Sequence, residues 1–166
     1  MKLHIGIDCG CTGAVAALDT KGRIVSLQDI PTVVVKTGKK SRTAYCDGPM
    51  ATLIEAIVKS AGGDVQVTIE NLHAMPRTGS VGGFSQGMGL GLWLGILAVL
   101  RVPVTRVEPA RWKKDLLIPA GADKNASIVR ALQLFPSCAD LDRKRDHNRA
   151  EALLIAEWGR RFSQRT

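Results

Sequence analysis

The sequence lacks the paired cysteines that bind zinc or form a disulfide framework. No Cys-x-x-Cys pair occurs, and a single Cys-x-Cys turn without a second pair is a poor zinc site. No secretory or transit segment is visible. We therefore expect reduced thiols in a cytoplasm, with Cys9 and Cys11 packed as small residues beside a tight turn. The four cysteines are Cys9, Cys11, Cys46 and Cys138.

The sequence also lacks an apolar run long enough to predict a membrane span. The apolar stretch of residues 89–100 is shorter than the roughly 20 residues that cross a bilayer, and Arg101 ends it. It predicts a buried helix, and no membrane partner is expected. Internal repeats and low-complexity segments are not visible. At 166 residues the chain is predicted to form a single domain over residues 1–166.

Acidic residues are few relative to basic ones. Lys and Arg number 23 against 15 Asp and Glu, which gives a net charge of +8 and a pI near 9.7. Such a balance indicates a polyanionic partner, of which nucleic acid is the commonest, although a basic solvated surface is the alternative. The basic residues are spread along the chain, as a phosphate-tracking surface requires. Clusters lie at Lys36, Lys39, Lys40 and Arg42, at Arg111, Lys113 and Lys114, at Arg143, Lys144 and Arg145, and at Arg160, Arg161 and Arg165.

The apolar pattern predicts a mixed sheet flanked by helices. Residues 3–8, 13–19 and 23–30 predict an antiparallel three-stranded meander, and residues 65–70 and 102–108 predict two further strands. The polar, basic segment 36–48 and the glycine-rich segment 71–87 predict loops. Helices are predicted over residues 50–61, 84–100, 109–117, 123–135 and 147–162, with Asp47 and Asp123 as N-caps.

Carboxylates stand at the ends of two predicted strands and inside the last helix. Asp8 ends the first strand, Glu70 ends a later one, and Glu151 interrupts an apolar helical stretch. Ligands of open α/β sheets gather at the carboxyl ends of strands. Two carboxylates there repel unless a cation lies between them, and Mg²⁺ or Mn²⁺ prefers such oxygen ligands. The alternative for each acid alone is a solvated residue at the start of a loop or on a helix surface.

Four motifs, taken in order, resemble the RuvC-like Holliday junction resolvases of the RNase H-like superfamily, in particular small phage-type members. They are "IGIDCGCTGAVAALD", "VTIENLHAM", "DKNASIVRAL" and "DHNRAEALLIA", and together they span nearly the whole chain. The resemblance implies an RNase H-like α/β fold, in which an antiparallel three-stranded meander and parallel strands form a mixed sheet with helices on both faces. It also implies a homodimeric, Mg²⁺- or Mn²⁺-dependent endonuclease that resolves four-way or branched DNA junctions.

The resemblance assigns catalytic carboxylates to this chain. Asp8, Glu70 and Glu151 match three metal ligands, and the fourth ligand is either Asp146 or His147. Two cations are expected, one between Asp8 and the helix acids and one between Asp8 and Glu70. The first activates a water molecule, and the second stabilises the leaving 3′ oxygen.

Basic and apolar residues complete the expected site. Lys124 matches a catalytic basic residue near the scissile phosphate, and Lys113 is a weaker match. In the loop after Glu70, Leu72 or Met75 is predicted to unstack a base step at the junction centre, although a residue that pins its own loop gives the same pattern. The residues expected to contact DNA are Leu72, His73, Met75, Arg77, Lys113 and Lys114.

Three glycines spaced four apart, Gly87, Gly91 and Gly95, strip one face of the predicted helix 84–100 of side chains. Another helix can therefore approach that face closely. The partner is either the same helix of a second subunit or the final helix of this chain. The twofold symmetry of a junction with two strands to cut favours the dimer.

Two other functional classes fit parts of the sequence. "GIDCGCTG" also resembles the first phosphate loop of actin-like ATPases, but those proteins need two such domains and a second glycine-rich turn, which this chain lacks. A non-catalytic module that binds branched DNA is the second alternative. It is disfavoured because the acids that the nuclease chemistry needs are present.

Overall fold

A computed structural model of the chain describes residues 1–38, 40–73, 79–141 and 146–162. Strands and helices follow one another in the order β-β-β-β-β-α-β-α-β-α-α-α within these ranges. The strands are β1 (Leu3–Ile7), β2 (Ala14–Asp19), β3 (Ile24–Asp29), β4 (Thr32–Thr37), β5 (Lys40–Tyr45), β6 (Val65–Glu70) and β7 (Val104–Val107). The helices are α1 (Asp47–Ser60), α2 (Gly79–Val99), α3 (Pro109–Asp115), α4 (Lys124–Leu134) and α5 (His147–Phe162).

The central sheet has five strands in the order β3-β2-β1-β6-β7. β1 pairs antiparallel with β2, and β2 pairs antiparallel with β3. β6 is parallel to both β1 and β7. The predicted meander and the predicted parallel strands are therefore confirmed. β1 lies in the middle of the sheet, and all five of its residues are buried.

Helices cover both faces of this sheet, as predicted. Leu3 and Ile7 of β1 pack in a core with α1 and α2, whereas α3, α4 and α5 pack in a second core on the other face. Gly6 of β1 lies directly under α5. A Cβ at Gly6 would collide with backbone atoms of Ala152 and Ala156, so glycine lets α5 lie against the strand. This close approach brings α5 to the same end of the sheet as Asp8, which follows β1, and Glu70, which ends β6.

The predicted loop over residues 36–48 is wrong, because β4 and β5 form a hairpin there with Gly38 in its turn at φ 61°. β4 and β5 form a sheet of their own. Most of β5 is exposed, and its sequence lacks the alternation of apolar and polar residues that would have predicted a strand. The Tyr45 hydroxyl at its end donates to the Cys9 carbonyl oxygen (3.1 Å), which ties the hairpin to the residue after Asp8.

Two predicted helix starts differ from the observed ones. Cys46, not Asp47, is the N-cap of α1, and Asp47 is the first helical residue. α2 begins at Gly79 rather than at residue 84. The sequence did not predict this start, because residues 79–83, with three glycines among them, show no apolar periodicity. Asp123 does cap α4, where its side chain accepts hydrogen bonds from two backbone amides.

α2 is longer than the apolar stretch of residues 89–100 indicates. With 21 mostly apolar residues, it could cross a bilayer by length and composition alone. The core helix of a water-soluble protein passes the same test, so one such helix is weak support for a membrane span.

Candidate active site

Carboxylates from three elements meet at one edge of the sheet. Asp8 follows β1 directly and Glu70 ends β6, and these parallel strands are in register, with Ile7 opposite Ile69. The Cys9 thiol donates to the Glu70 carbonyl oxygen (3.6 Å), which joins the two strand ends. Since the carboxyl ends of parallel strands share an edge, the two acids lie side by side, as predicted.

Glu151 of α5 is the third acid, and its charge acts on the other two. Asp8 is 7% exposed and Glu70 is 6% exposed. Burial, followed by the negative charges of Glu70 and Glu151, raises the pKa of Asp8 to about 7, although the Gly10 amide donates to Oδ1 of Asp8 (3.2 Å). Burial also raises the pKa of Glu70, and Glu151 adds to that shift. Together the two buried acids and the partly exposed Glu151 form an excess of negative charge that favours protonation or a cation.

Protein groups hold two of these carboxylates. The buried indole N–H of Trp112 donates to Oε1 of Glu70 (2.9 Å). The Ser127 hydroxyl donates to Oε1 of Glu151 (3.0 Å), and the Lys113 ammonium forms an ion pair with the same oxygen (3.0 Å). The acids of β6 and α5 are thus both anchored to the helices α3 and α4 that cover this face.

Among the residues that the structure describes, no group of three or more His, Cys, Asp or Glu side chains is arranged to hold a metal ion as it stands. Carboxylates without a cation repel one another, and the Lys113 ammonium neutralises part of the charge on Glu151. For a divalent cation to be held here, the acids would have to lie closer together than they do in this structure.

The candidates for a fourth ligand lie where α5 begins. Asp146 is buried directly before the helix. His147 is the first helical residue and lines a separate cavity of about 360 Å³ with Cys11. The amide of Asn148 donates to the carbonyl and hydroxyl oxygens of Thr12, so it holds the β1–β2 turn. The choice between Asp146 and His147 stays a prediction.

A larger cavity, about 780 Å³, opens beside Glu151. Lys113 and Lys114, both predicted to contact DNA, line it together with the connection from α3 to α4. Lys124 begins α4, but its side chain lies outside what the structure describes. A positively charged wall therefore borders the carboxylates on the α3 side.

The described part of the loop after Glu70 is tied down. The His73 ring and the Asn71 amide both contact Oε1 of Glu108, at 2.9 and 2.7 Å. Leu72 is half-buried and packs against the core under α1 and α2. Its contacts match the alternative in which it pins its own loop. The other two residues predicted to contact DNA from this loop, Met75 and Arg77, lie outside the described residues.

The sequence analysis did not identify Trp112 and Ser127. Trp112 is the one aromatic residue of the short helix α3 and directly precedes Lys113, in "PARWKK". Ser127 lies within the motif around Lys124. A large aromatic residue in a helix that directly follows an acid, here Glu108, is a weak sequence signal for a contact with the site. The partner of each side chain depends on how the helix packs.

The sheet order, the helices on both faces and the acids at the sheet edge define an RNase H-like fold of the RuvC type. Thermus thermophilus RuvC in complex with a Holliday junction substrate superposes with a TM-score of 0.61 at 19% identity, over 94% of this chain and 90% of that one. A second Thermus thermophilus RuvC structure gives a TM-score of 0.52 at 23% identity, over 92% and 89%.

A sequence relative points to the same group of proteins. The chain is 36% identical over 85 residues to the chloroplastic Holliday junction resolvase MOC1 of Chlamydomonas reinhardtii. The matched segment is 51% of this chain and 10% of that protein. No protein-family model matches the chain. The predicted resemblance to RuvC-like resolvases is confirmed by the fold and by this relative.

Proposed function

We propose that this chain is a divalent-cation-dependent endonuclease that hydrolyses phosphodiester bonds in four-way or otherwise branched DNA. The observation that carries the proposal is the group of carboxylates at the edge of a RuvC-type sheet, in which Asp8 and Glu70 are buried and Glu151 is partly exposed. The sequence similarity to a Holliday junction resolvase supports the junction as the substrate. The excess positive charge of the chain suits a DNA partner.

The residues present fit a hard divalent cation, Mg²⁺ or Mn²⁺. The donors are carboxylate oxygens, and the raised pKa of Asp8 reflects negative charge that a cation would neutralise. When bound, two such cations would generate a nucleophile from water and stabilise the leaving oxygen. Asp8, Glu70 and Glu151 would hold them, with Asp146 or His147 as the fourth ligand.

Lys113 would change partners during the reaction. In the structure its ammonium neutralises Glu151. A cation held by that carboxylate would compete with Lys113, whose ammonium would then be available to offset the charge that develops on the phosphate oxygens. Lys124 at the start of α4 is expected to act in the same way, and Lys114 in the adjoining cavity is expected to contact the flanking backbone.

The DNA would lie across the edge of the sheet that carries the acids. The β4–β5 hairpin stands on one side of this edge, with Lys36, Lys40 and Arg42 exposed. The loop after Glu70 lies beside the acids, and the apolar wedge that would unstack a base step there is Leu72 or Met75. Leu72 is half-buried and Met75 lies outside the described residues, so the choice between them stays a prediction.

The active unit would be a homodimer built on α2. A Cβ at Gly87, Gly91 or Gly95 meets no other atom of the described chain within 4 Å, so the final helix is not the partner of this face. A largely apolar groove of about 750 Å³ runs between α1 and α2 along Gly91 and Gly95. Phe84 and Val99 of the same helix are exposed. A second copy of α2 fits such a surface, and a twofold axis would give one active site for each cut strand.

A cleavage assay with Mg²⁺ or Mn²⁺ tests the proposal. Four-way junction, Y-fork, duplex and RNA–DNA hybrid substrates are incubated with the wild type and with Asp8→Asn. Paired cuts in opposed strands of the junction by the wild type alone would support a resolvase. Junction binding without cleavage by the wild type would instead support the alternative, a non-catalytic module that binds branched DNA.

A further inference from the structure

We propose that Trp112 is a positioning residue for the metal centre, because its indole N–H fixes the Glu70 carboxylate in the orientation that receives a cation. This inference rests on the proposed function. It assigns a task to a residue that contacts neither DNA nor the cation.

The contact between Trp112 and Glu70 is a buried hydrogen bond to a charged acceptor. Trp112 is 0% exposed, and its Nε1 lies 2.9 Å from Oε1 of Glu70. Bonds of this kind are about twice as strong as bonds between neutral groups, and a buried acceptor without one is costly. Apart from the Cys9 thiol, which donates to its backbone carbonyl oxygen, no other group among the described residues donates to Glu70, so these residues leave Oε2 of the carboxylate for a cation.

α3 is a fixed platform for this bond. Its C-terminal end is held by the Trp158 indole, which donates to Asp115 (2.9 Å). At its N-terminal end, Glu108 accepts from the Asn71 amide directly after β6. The helix therefore cannot shift without breaking contacts to both β6 and α5, and the Trp112 indole keeps one position relative to Glu70.

Lys113, the residue after Trp112, contacts the Glu151 carboxylate of α5. The Lys113 ammonium lies 3.0 Å from Oε1 of Glu151 and 5.0 Å from the centre of the Trp112 ring, within cation–π range. Neighbouring residues of one short helix thus contact carboxylates from β6 and α5. The difference between them is that Lys113 must release its carboxylate to a cation, whereas the Trp112 bond can persist with the cation bound.

Fixing Glu70 removes rotamer freedom that cation binding would otherwise have to restrict. Groups that orient a metal ligand in this way typically contribute a factor of about 10 to 100 to metal affinity. A tryptophan that only fills the core would contribute to the stability of the fold and leave metal affinity unchanged.

The test separates the N–H donor from the indole volume. Trp112 is replaced by Phe, and in a second variant by β-(3-benzothienyl)alanine, which keeps the bicyclic shape but has sulfur in place of the N–H. Mn²⁺ binding to the DNA-free protein is measured by electron paramagnetic resonance, and junction cleavage is measured over a range of Mn²⁺ concentrations. Both variants should bind Mn²⁺ about 10 to 100 times more weakly, and the maximal rate at saturating Mn²⁺ should fall much less.

Trp93→Phe is the matched control. The Trp93 N–H is also buried, but it has no hydrogen-bond partner among the described residues. Its replacement should lower stability in urea, because buried indole volume is lost, and it should leave Mn²⁺ affinity unchanged, because no carboxylate loses a donor. Unchanged Mn²⁺ affinity in the benzothienylalanine variant would overturn the proposal, as would a wild type that binds no Mn²⁺. A wild type that binds Mn²⁺ but cuts no DNA would refute the proposed function alone, since the effect of Trp112 on binding is still measured.

Discussion

The two faces of the central sheet are closed in different ways. On one face, α5 lies against the backbone of β1 over Gly6, and polar contacts link it to its neighbours. On the other face, α2 is held by the buried side chains Trp93 and Leu97, while its glycine stripe meets nothing in the described chain. The first face is complete within one chain, whereas the second presents an apolar surface that suits another molecule.

The contrast does not extend to unpaired buried nitrogens, but it does extend to the ion pairs that α5 forms and that the described residues of α2 do not. Glu157 of α5 is buried, and it is paired with both Arg160 and Arg161. Each face leaves one buried nitrogen without a partner among the described residues: His4 Nδ1, near Arg160 and Glu157, on the α5 face, and the Trp93 N–H on the α2 face. Directional bonds fix one geometry, whereas apolar packing tolerates small shifts. The face that must place carboxylates accurately is therefore the one that uses directional bonds.

Asp8→Asn, on the α5 face, should have the largest effect of these variants on junction cleavage. Loss of the carboxylate shared by the proposed cations should reduce junction cleavage by about 10³-fold or more. The same change relieves repulsion with Glu70 and Glu151, so stability in urea without metal should increase. Asp64→Asn, an exposed acid just before β6, is the control and should change neither quantity. Undiminished cleavage by Asp8→Asn would exclude this site.

Gly91→Arg should break the α2 face without touching the α5 face. The position has open space around it within the described chain, so the monomer should fold with wild-type or higher stability. Sedimentation at micromolar concentration should change from dimer to monomer, and paired cleavage of the two strands should be lost. Val129→Arg, at an exposed apolar residue of α4, should leave the dimer intact. A wild type that sediments only as a monomer would contradict the dimer.

The sequence predicted the elements whose apolar pattern reports burial. β1, β2, β6 and α5 pack on the core through regularly spaced apolar residues, and their topology follows. The β4–β5 hairpin escaped prediction because cross-strand pairing, rather than burial, holds its exposed strands together. The start of α2 escaped because glycines and a serine carry no helical periodicity.

The residues of the candidate site also fall into two groups, those that the sequence predicts and those that only the packing of the helices reveals. Asp8 and Glu70 could be predicted to meet, since parallel strands bring their carboxyl ends to one edge. The contacts of Trp112 with Glu70 and of Ser127 with Glu151 could not be predicted. They depend on how α3 and α4 pack against residues distant in the sequence. Sequence patterns thus indicate the acids, whereas only the packed helices reveal what orients them.

Replacing Lys36, Lys40 and Arg42 together by Ala should weaken DNA binding without affecting either face of the sheet. All three side chains are exposed on the hairpin. Each lost phosphate contact should reduce the slope of log K against log salt by about 0.9, and affinity at 0.15 M salt should fall about tenfold. Lys59→Ala, whose exposed ammonium is paired with Glu55 on α1, is the matched control. An unchanged salt slope in the triple variant would place the DNA elsewhere.

The pH dependence of stability should show the smallest difference between the two faces. Among the described residues, the buried acids with a raised pKa lie on the α5 face. The pKa of Asp8 is about 7 in the folded protein, against 3.8 for an unperturbed Asp, and the pKa of Glu70 is raised as well. Between pH 3.8 and about pH 7 the folded protein therefore binds more protons than the unfolded chain. The stabilising contribution is therefore complete below pH 3.8 and is lost as the pH rises through about 7.

Without metal, the free energy of unfolding should fall on the order of 2 kcal/mol from pH 5 to pH 8. Urea titrations with a chelator measure this slope. Saturating Mg²⁺ should remove most of it, because a cation stabilises the ionised acids that high pH produces. Asp8→Asn should flatten it without metal, whereas Gly91→Arg, on the other face, should retain it. A slope of opposite sign, or one that Asp8→Asn leaves unchanged, would mean that these carboxylates are not the buried, repelling group on which the metal site depends.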